Sequence, residues 1–153
     1  MENTQVNGVF ISYRRDDSAS SAARINEWLN KKIKDTPIFF DIRDIEPGLI
    51  FDEVIVKNLA SSSVVLVIIG RTWLEIKAQK GTSRLDDSKD YLRQEIATAL
   101  RSEALVIPVL VDGARMPASE DLPADIQALS KRQAFNLSHQ SYELEIKVLI
   151  AYF

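Results

Sequence analysis

Apolar and polar residues follow two rhythms along this chain. Short unbroken apolar runs recur about every 30 residues, the spacing of strand–helix–strand units. Five of them predict strands, over residues 9–13, 38–40, 64–69, 105–111 and 134–137. The third, Val-Val-Leu-Val-Ile-Ile, has no polar position, as a central parallel strand covered on both faces requires. Between the runs the apolar positions fall at helical spacing. Ile25, Trp28, Leu29 and Ile33 share one helix face, with Ser18 or Ser20 as its start. Val54, Ile55, Leu59 and Ala60 mark a second helix that begins after Gly48. The third helix, over 89–100, contains no Pro or Gly and has Asp90 as its candidate N-cap. At roughly 100° per residue, its Leu92, Ile96, Ala99 and Leu100 point inward, while Tyr91 and Glu95 lie side by side on the flank. A short fourth helix is predicted over 123–129, and a fifth over 142–153 with Leu144, Val148 and Leu149 on its face.

Alternating strands and helices predict an α/β fold, a doubly wound five-stranded parallel sheet with helices on both faces. Such sheets bind ligands beyond the C-terminal strand ends, and helices leave those ends N-terminus first. The early turns of the 89–100 helix therefore lie near the crevice, and Glu95 with them. The 153 residues are expected to form a single domain, 1–153. The last helix meets the chain end with no capping signal, so the domain is expected to open a longer protein, with a fused sensor or effector domain after Phe153.

Composition narrows the chemistry. The chain is 46% hydrophobic and 27% charged with a net charge of −3, and its basic runs are short, so no nucleic-acid footprint is visible. There is no cysteine, which excludes disulfides and thiolate catalysis, and the single histidine, His139, cannot build a zinc site alone. No metal is expected. The longest apolar run is far too short to span a bilayer and no leading segment reads as a signal peptide, so a cytoplasmic protein without membrane contact is expected.

The strand ends exclude two familiar functions. The first run continues Ser12-Tyr13-Arg14-Arg15-Asp16-Asp17, without the Gly-x-Gly-x-x-Gly turn of a redox dinucleotide fold. The third ends Ile69-Gly70-Arg71, without the aspartate of a phosphoacceptor receiver. Arg14 and Arg15 suit phosphate oxygens, and equally suit local pairing with Asp16 or Asp17. The loop of residues 41–51 carries Asp41, Asp44 and Glu46, a Pro47-Gly48 turn, and the aliphatic Ile45, Leu49 and Ile50. Trp73 has no glutamate four positions on and reads as packing over the sheet edge.

Taken together, Val-Phe-Ile-Ser-Tyr-Arg-Arg-Asp-Asp-Ser at 9–18, the Glu46-Pro47-Gly48 loop, Leu-Val-Ile-Ile-Gly at 66–70, Tyr-x-x-x-Glu-Ile-x-x-Ala-Leu at 91–100 and Val-Ile-Pro-Val-Leu-Val-Asp-Gly at 106–113 resemble a TIR (Toll/interleukin-1 receptor) domain of bacterial type. The resemblance implies a flavodoxin-like sheet in the order 2-1-3-4-5. It also implies cleavage of the nicotinamide–ribose bond of NAD⁺ as substrate, with no cofactor, in a bacterial immune, antiphage signalling setting. The product would be ADP-ribose or a cyclic form. The family glutamate falls on Glu95, and Tyr91 stands where the family has Trp. Substrate contacts carry over to Tyr13, Arg14, Arg15, Asp41, Glu46 and Gly48. The loop from Asp41 to Phe51 falls on the segment by which such domains join one another. A second class remains open, a non-catalytic module that recruits similar domains; Glu95 and the Arg14-Arg15 pair favour the enzyme.

Overall fold

The computed structural model describes residues 7–40, 48–75, 85, 90–138 and 140–153. Its strands are β1 (Val9–Ser12), β2 (Ile38–Phe39), β3 (Val64–Ile69), β4 (Leu105–Leu110) and β5 (Phe135–Asn136). They form one parallel sheet in the order β2-β1-β3-β4-β5. The α-helices are α1 (Arg15–Lys32), α2 (Phe51–Ala60), α3 (Tyr91–Arg101) and α4 (Tyr142–Ile150).

Successive strand residues face opposite ways and build two apolar layers. Phe10, Val65, Val67 and Ile69 meet Ile55 and Leu59 of α2 and Leu92 and Ile96 of α3 on one face. On the other, Val9, Ile11, Leu66 and Ile68 meet Ala22, Ile25 and Leu29 of α1 and Ile146 and Leu149 of α4. β3 is buried along its whole length, as its unbroken apolar run predicts.

Several sequence expectations are corrected. The chain is already helical at Arg15, but a kink at Ser18 (φ −143°, ψ 30°) separates that short first turn from the main helix. Ser18, one of the two predicted positions, thus marks the start of the long part of α1. The segment predicted as a helix over 123–129 is a 3-10 helix, Ala124–Lys131. In α4 the buried residues are Tyr142, Ile146 and Leu149, while Leu144 and Val148 face solvent. That helix is apolar on two overlapping stripes, both at helical spacing, and packing against α1 selects the stripe of Tyr142, Ile146 and Leu149. Trp73 lies within the core at 1% exposure rather than over the sheet edge.

Tyr142 anchors α4 to α1. Its hydroxyl donates to the Ser21 carbonyl at 3.1 Å, and the Arg24 guanidinium sits 3.9 Å above its ring. Burial pushes its phenol up to about 12, the Arg24 charge opposes that shift, and Asp112 adds to it. The unfolded chain ionises first, so this group's stability is complete below its ordinary value of 10.0 and is lost as pH rises through about 12. The expected loss approaches about 2–3 kcal/mol. Urea unfolding across that range checks it: Tyr142→Phe should lose stability less steeply with pH than the parent.

Candidate active site

The order β2-β1-β3 reverses the direction of winding between β1 and β3, which opens the crevice of a doubly wound sheet beyond their C-terminal ends. β1 delivers Ser12, Tyr13 and Arg14 to that point, and α3 crosses beside it. Asp90 caps α3 as its sequence predicts, its carboxylate accepting from the Arg93 backbone N–H at 3.0 Å.

Side chains tie these two elements together at two levels. Ser12, the fully buried last residue of β1, donates its hydroxyl to Oε2 of Glu95 at 2.7 Å. Glu95 is only 8% exposed, so it belongs to the buried face of α3 rather than to its flank. Two residues after Ser12, Arg14 is 2% exposed and places its guanidinium fork on Asp90, Nη1 to Oδ1 at 3.0 Å and Nη2 to Oδ2 at 2.9 Å. Asp90 thus serves as a helix cap and as the counter-charge of a buried cation. Arg14 therefore pairs with neither Asp16 nor Asp17.

Asp17 instead binds the end of β3. Its carboxylate accepts from Gly70 N at 2.8 Å and from Thr72 N and Oγ1, both at 2.9 Å. A side chain at Gly70 would put Cβ 2.6 Å from Asp17 Oδ1. Gly70→Ala is therefore expected to destabilise the fold by about 2 kcal/mol, the order of an overpacked site, and a melting curve checks it.

Four of the other sequence candidates lie among the described residues. Tyr91, one turn before Glu95, is 48% exposed. The Tyr13 ring stacks on Phe40 at 5.2 Å between centroids and 15° between planes. Arg15 is exposed on the first turn of α1. Gly48 holds φ 94°, a conformation that L side chains rarely adopt, and the neighbouring Leu49 and Ile50 are exposed. Asp41, Ile45, Glu46 and His139 lie outside the described residues. Among the described residues no group of three or more His, Cys, Asp and Glu could hold a metal ion, and no helix is long and apolar enough to cross a membrane. A separate cleft of about 680 Å³ opens beyond β4 and β5, lined by Arg71, Leu110, Asn136 and Leu137 among others, and does not include Glu95.

Sequence reasoning missed Ser12 and Asp17. A hydroxyl closing an otherwise apolar strand is the one local sign of the first; nothing local marks the second.

Comparison with known proteins agrees with this architecture. A family model described as TIR domain matches residues 9–150. The chain is 25% identical over 144 residues to the NAD(+) hydrolase SARM1 of Danio rerio, covering 94% of this chain and 19% of that protein. It is 25% identical over 131 residues to the NAD(+) hydrolase sarm1 of Drosophila melanogaster, covering 86% of this chain and 9% of that protein. Among solved structures, the TIR domains of the activated Roq1 resistosome superpose with a TM-score of 0.69 at 14% identity, over 96% of this chain and 99% of that one. A metazoan TIR-STING receptor from C. gigas gives 0.61 at 21% identity, over 97% of this chain and 41% of that one. At these identities the structural likeness shows the fold alone.

Proposed function

The chain belongs to the TIR domain family, and from that premise we propose that it is an NAD⁺ nucleosidase in which Glu95 is the catalytic carboxylate. The observation that carries the reading is a carboxylate at 8% exposure, bonded to the last residue of β1 beside the switch in strand order. The likeness to relatives named as NAD(+) hydrolases supports it, although the chain spans only 19% and 9% of their lengths.

One carboxylate suffices for this chemistry. Glycosidases that expel an alcohol need a second group to protonate the leaving oxygen. Nicotinamide departs from a positively charged pyridinium as a neutral molecule, so no acid is required. What remains is positive charge growing on the ribose. Opposite charge at about 4 Å and an effective dielectric near 20 contributes roughly 4 kcal/mol, or nearly a thousandfold in rate. Water then captures the cation to give ADP-ribose, or an internal nucleophile captures it to give a cyclic product. Tyr91 offers a flat wall one turn away. Tyr13, Arg15, Asp41, Glu46 and Gly48 are proposed to line the pocket. The pairing of Arg14 with Asp90 supports a framing role for Arg14 in place of a substrate contact.

Self-association is part of the proposal. Leu49 and Ile50, just before α2, and Val56 in its middle are 56%, 60% and 54% exposed, and exposed apolar side chains of this size are of the kind a protein partner covers. We infer a head-to-tail contact between copies that uses the 41–51 loop and completes the pocket, a geometry that need not close. The same residues favour the second reading, a recruiting module without catalysis.

The test is incubation with NAD⁺ over a wide dilution series, with nicotinamide and ADP-ribose products resolved by chromatography and light scattering in parallel. Specific activity is expected to rise with protein concentration. A flat series from a monomeric sample would remove the assembly requirement. No nicotinamide at any concentration would leave the recruiting module.

A further inference from the structure

Ser12 occupies a position that packing alone would give to an apolar residue. The three residues before it in β1 are Val, Phe and Ile, all buried, and Ser12 itself has no exposed surface. A hydroxyl in such a place needs a partner, since a buried unmade hydrogen bond is expensive. Its partner is Glu95 Oε2 at 2.7 Å, a well-formed O–H···O hydrogen bond.

We propose that Ser12 is a positioning residue for Glu95, an inference that rests on the nucleosidase reading. The last torsion of a glutamate side chain is broad and roughly two-fold, so packing around its methylenes leaves the carboxylate plane poorly defined. The Ser12 hydroxyl on Oε2 restricts that freedom. The work divides between the two ties from β1 to α3: the Arg14–Asp90 pair holds the start of the helix, and Ser12 holds the orientation of one side chain on it.

Ser12 touches no reacting atom in this scheme. It keeps the carboxylate aimed at the ribose carbon on which positive charge grows, an interaction strongest in the transition state. Its loss should therefore fall on kcat rather than KM. The hydroxyl also favours the ionised carboxylate over the protonated one, so its removal should move the acid limb of the activity profile to higher pH.

The experiment compares the parent, Ser12→Ala and Ser12→Cys in steady-state nicotinamide release over a range of pH, at protein concentrations where the parent is active. Thermal unfolding is followed in parallel. Ser12→Ala is expected to lower kcat about tenfold, the size of one orienting hydrogen bond, with KM within about twofold. Ser12→Cys, larger than serine but a weaker donor, should fall between the two, an order that follows donor strength and not side-chain volume. If Ser12→Ala does not fold, Ser12→Cys carries the comparison through its lowered kcat and displaced acid limb. A folded variant with parental kcat and an unmoved acid limb would overturn the positioning role while leaving the nucleosidase reading intact. So would a change in KM alone. A parent that releases no nicotinamide would overturn the nucleosidase reading and this role with it.

Discussion

Glu95→Gln is expected to reduce NAD⁺ cleavage by about two to three orders of magnitude, the usual consequence of losing one preorganised transition-state contact. Glutamine matches glutamate in shape, and its amide oxygen can still accept from the Ser12 hydroxyl. The substitution thus separates charge from packing. Because the amide keeps the shape of this 8%-exposed side chain and can still accept from Ser12, thermal stability should change little. Glu95→Ala should lose activity to the same degree and also lose stability, since it leaves the buried Ser12 hydroxyl without its acceptor. The measurements are turnover and melting temperature on the same preparations. Retention of more than about half the parental turnover in Glu95→Gln would remove Glu95 from the mechanism.

Arg14→Ala should have a large effect on folding. The ion pair it breaks is 3% exposed on the arginine side and 11% on the aspartate side, so the stranded carboxylate keeps little water. Removing one member of such a pair costs about 3–5 kcal/mol, against about 0–1 kcal/mol for a surface pair. Asp90→Ala should be at least as severe, because it strands the guanidinium and also removes the cap of α3, a further loss of about 1 kcal/mol. The double variant Arg14→Met/Asp90→Ser removes both charges and retains a capping side chain. It should recover much of the loss, because neither charge is then left buried without its partner. Urea unfolding of the four proteins checks this. A loss below about 1 kcal/mol in Arg14→Ala would return the pair to the status of a surface contact.

The two substitutions probe different layers of one site. The Glu95 substitutions are expected to act on the proposed reaction with the fold intact, and those at Arg14 on the fold that brings β1 and α3 together. Their residues are adjacent in space but carry different signals in the chain. Glu95 is conspicuous as a carboxylate on an amphipathic helix opposite strand ends. Arg14 looks like a free surface cation, in a run of four charges at Arg14-Arg15-Asp16-Asp17, until its partner is known.

Much of the architecture follows from local pattern. The five strands and their parallel alternation with helices are as expected, because strand and helix periods depend on neighbours within a few residues, whereas the order 2-1-3-4-5 is the one the family resemblance implies. For the same reason Asp90 is legible as a cap, its acceptor lying three residues from the N–H it binds. Pattern fails where two local solutions compete. The last helix offers Leu144 with Val148 on one stripe and Ile146 with Leu149 on another, and only docking on α1 selects the second.

The site itself is a product of tertiary structure. Ser12 and Glu95 are 83 residues apart, Arg14 and Asp90 are 76, and Asp17 and Gly70 are 53. Each pairing arises only after parallel strands have closed the intervening chain into one sheet, which sets residues from β1, β3 and α3 around a common point. The sequence by itself determined which elements form, their order and the chemical types available at the strand ends. Burial of Glu95, the partner of Arg14 and the role open to Ser12 were decided by packing, because burial and long-range hydrogen bonds belong to the assembled sheet and to no single segment of it.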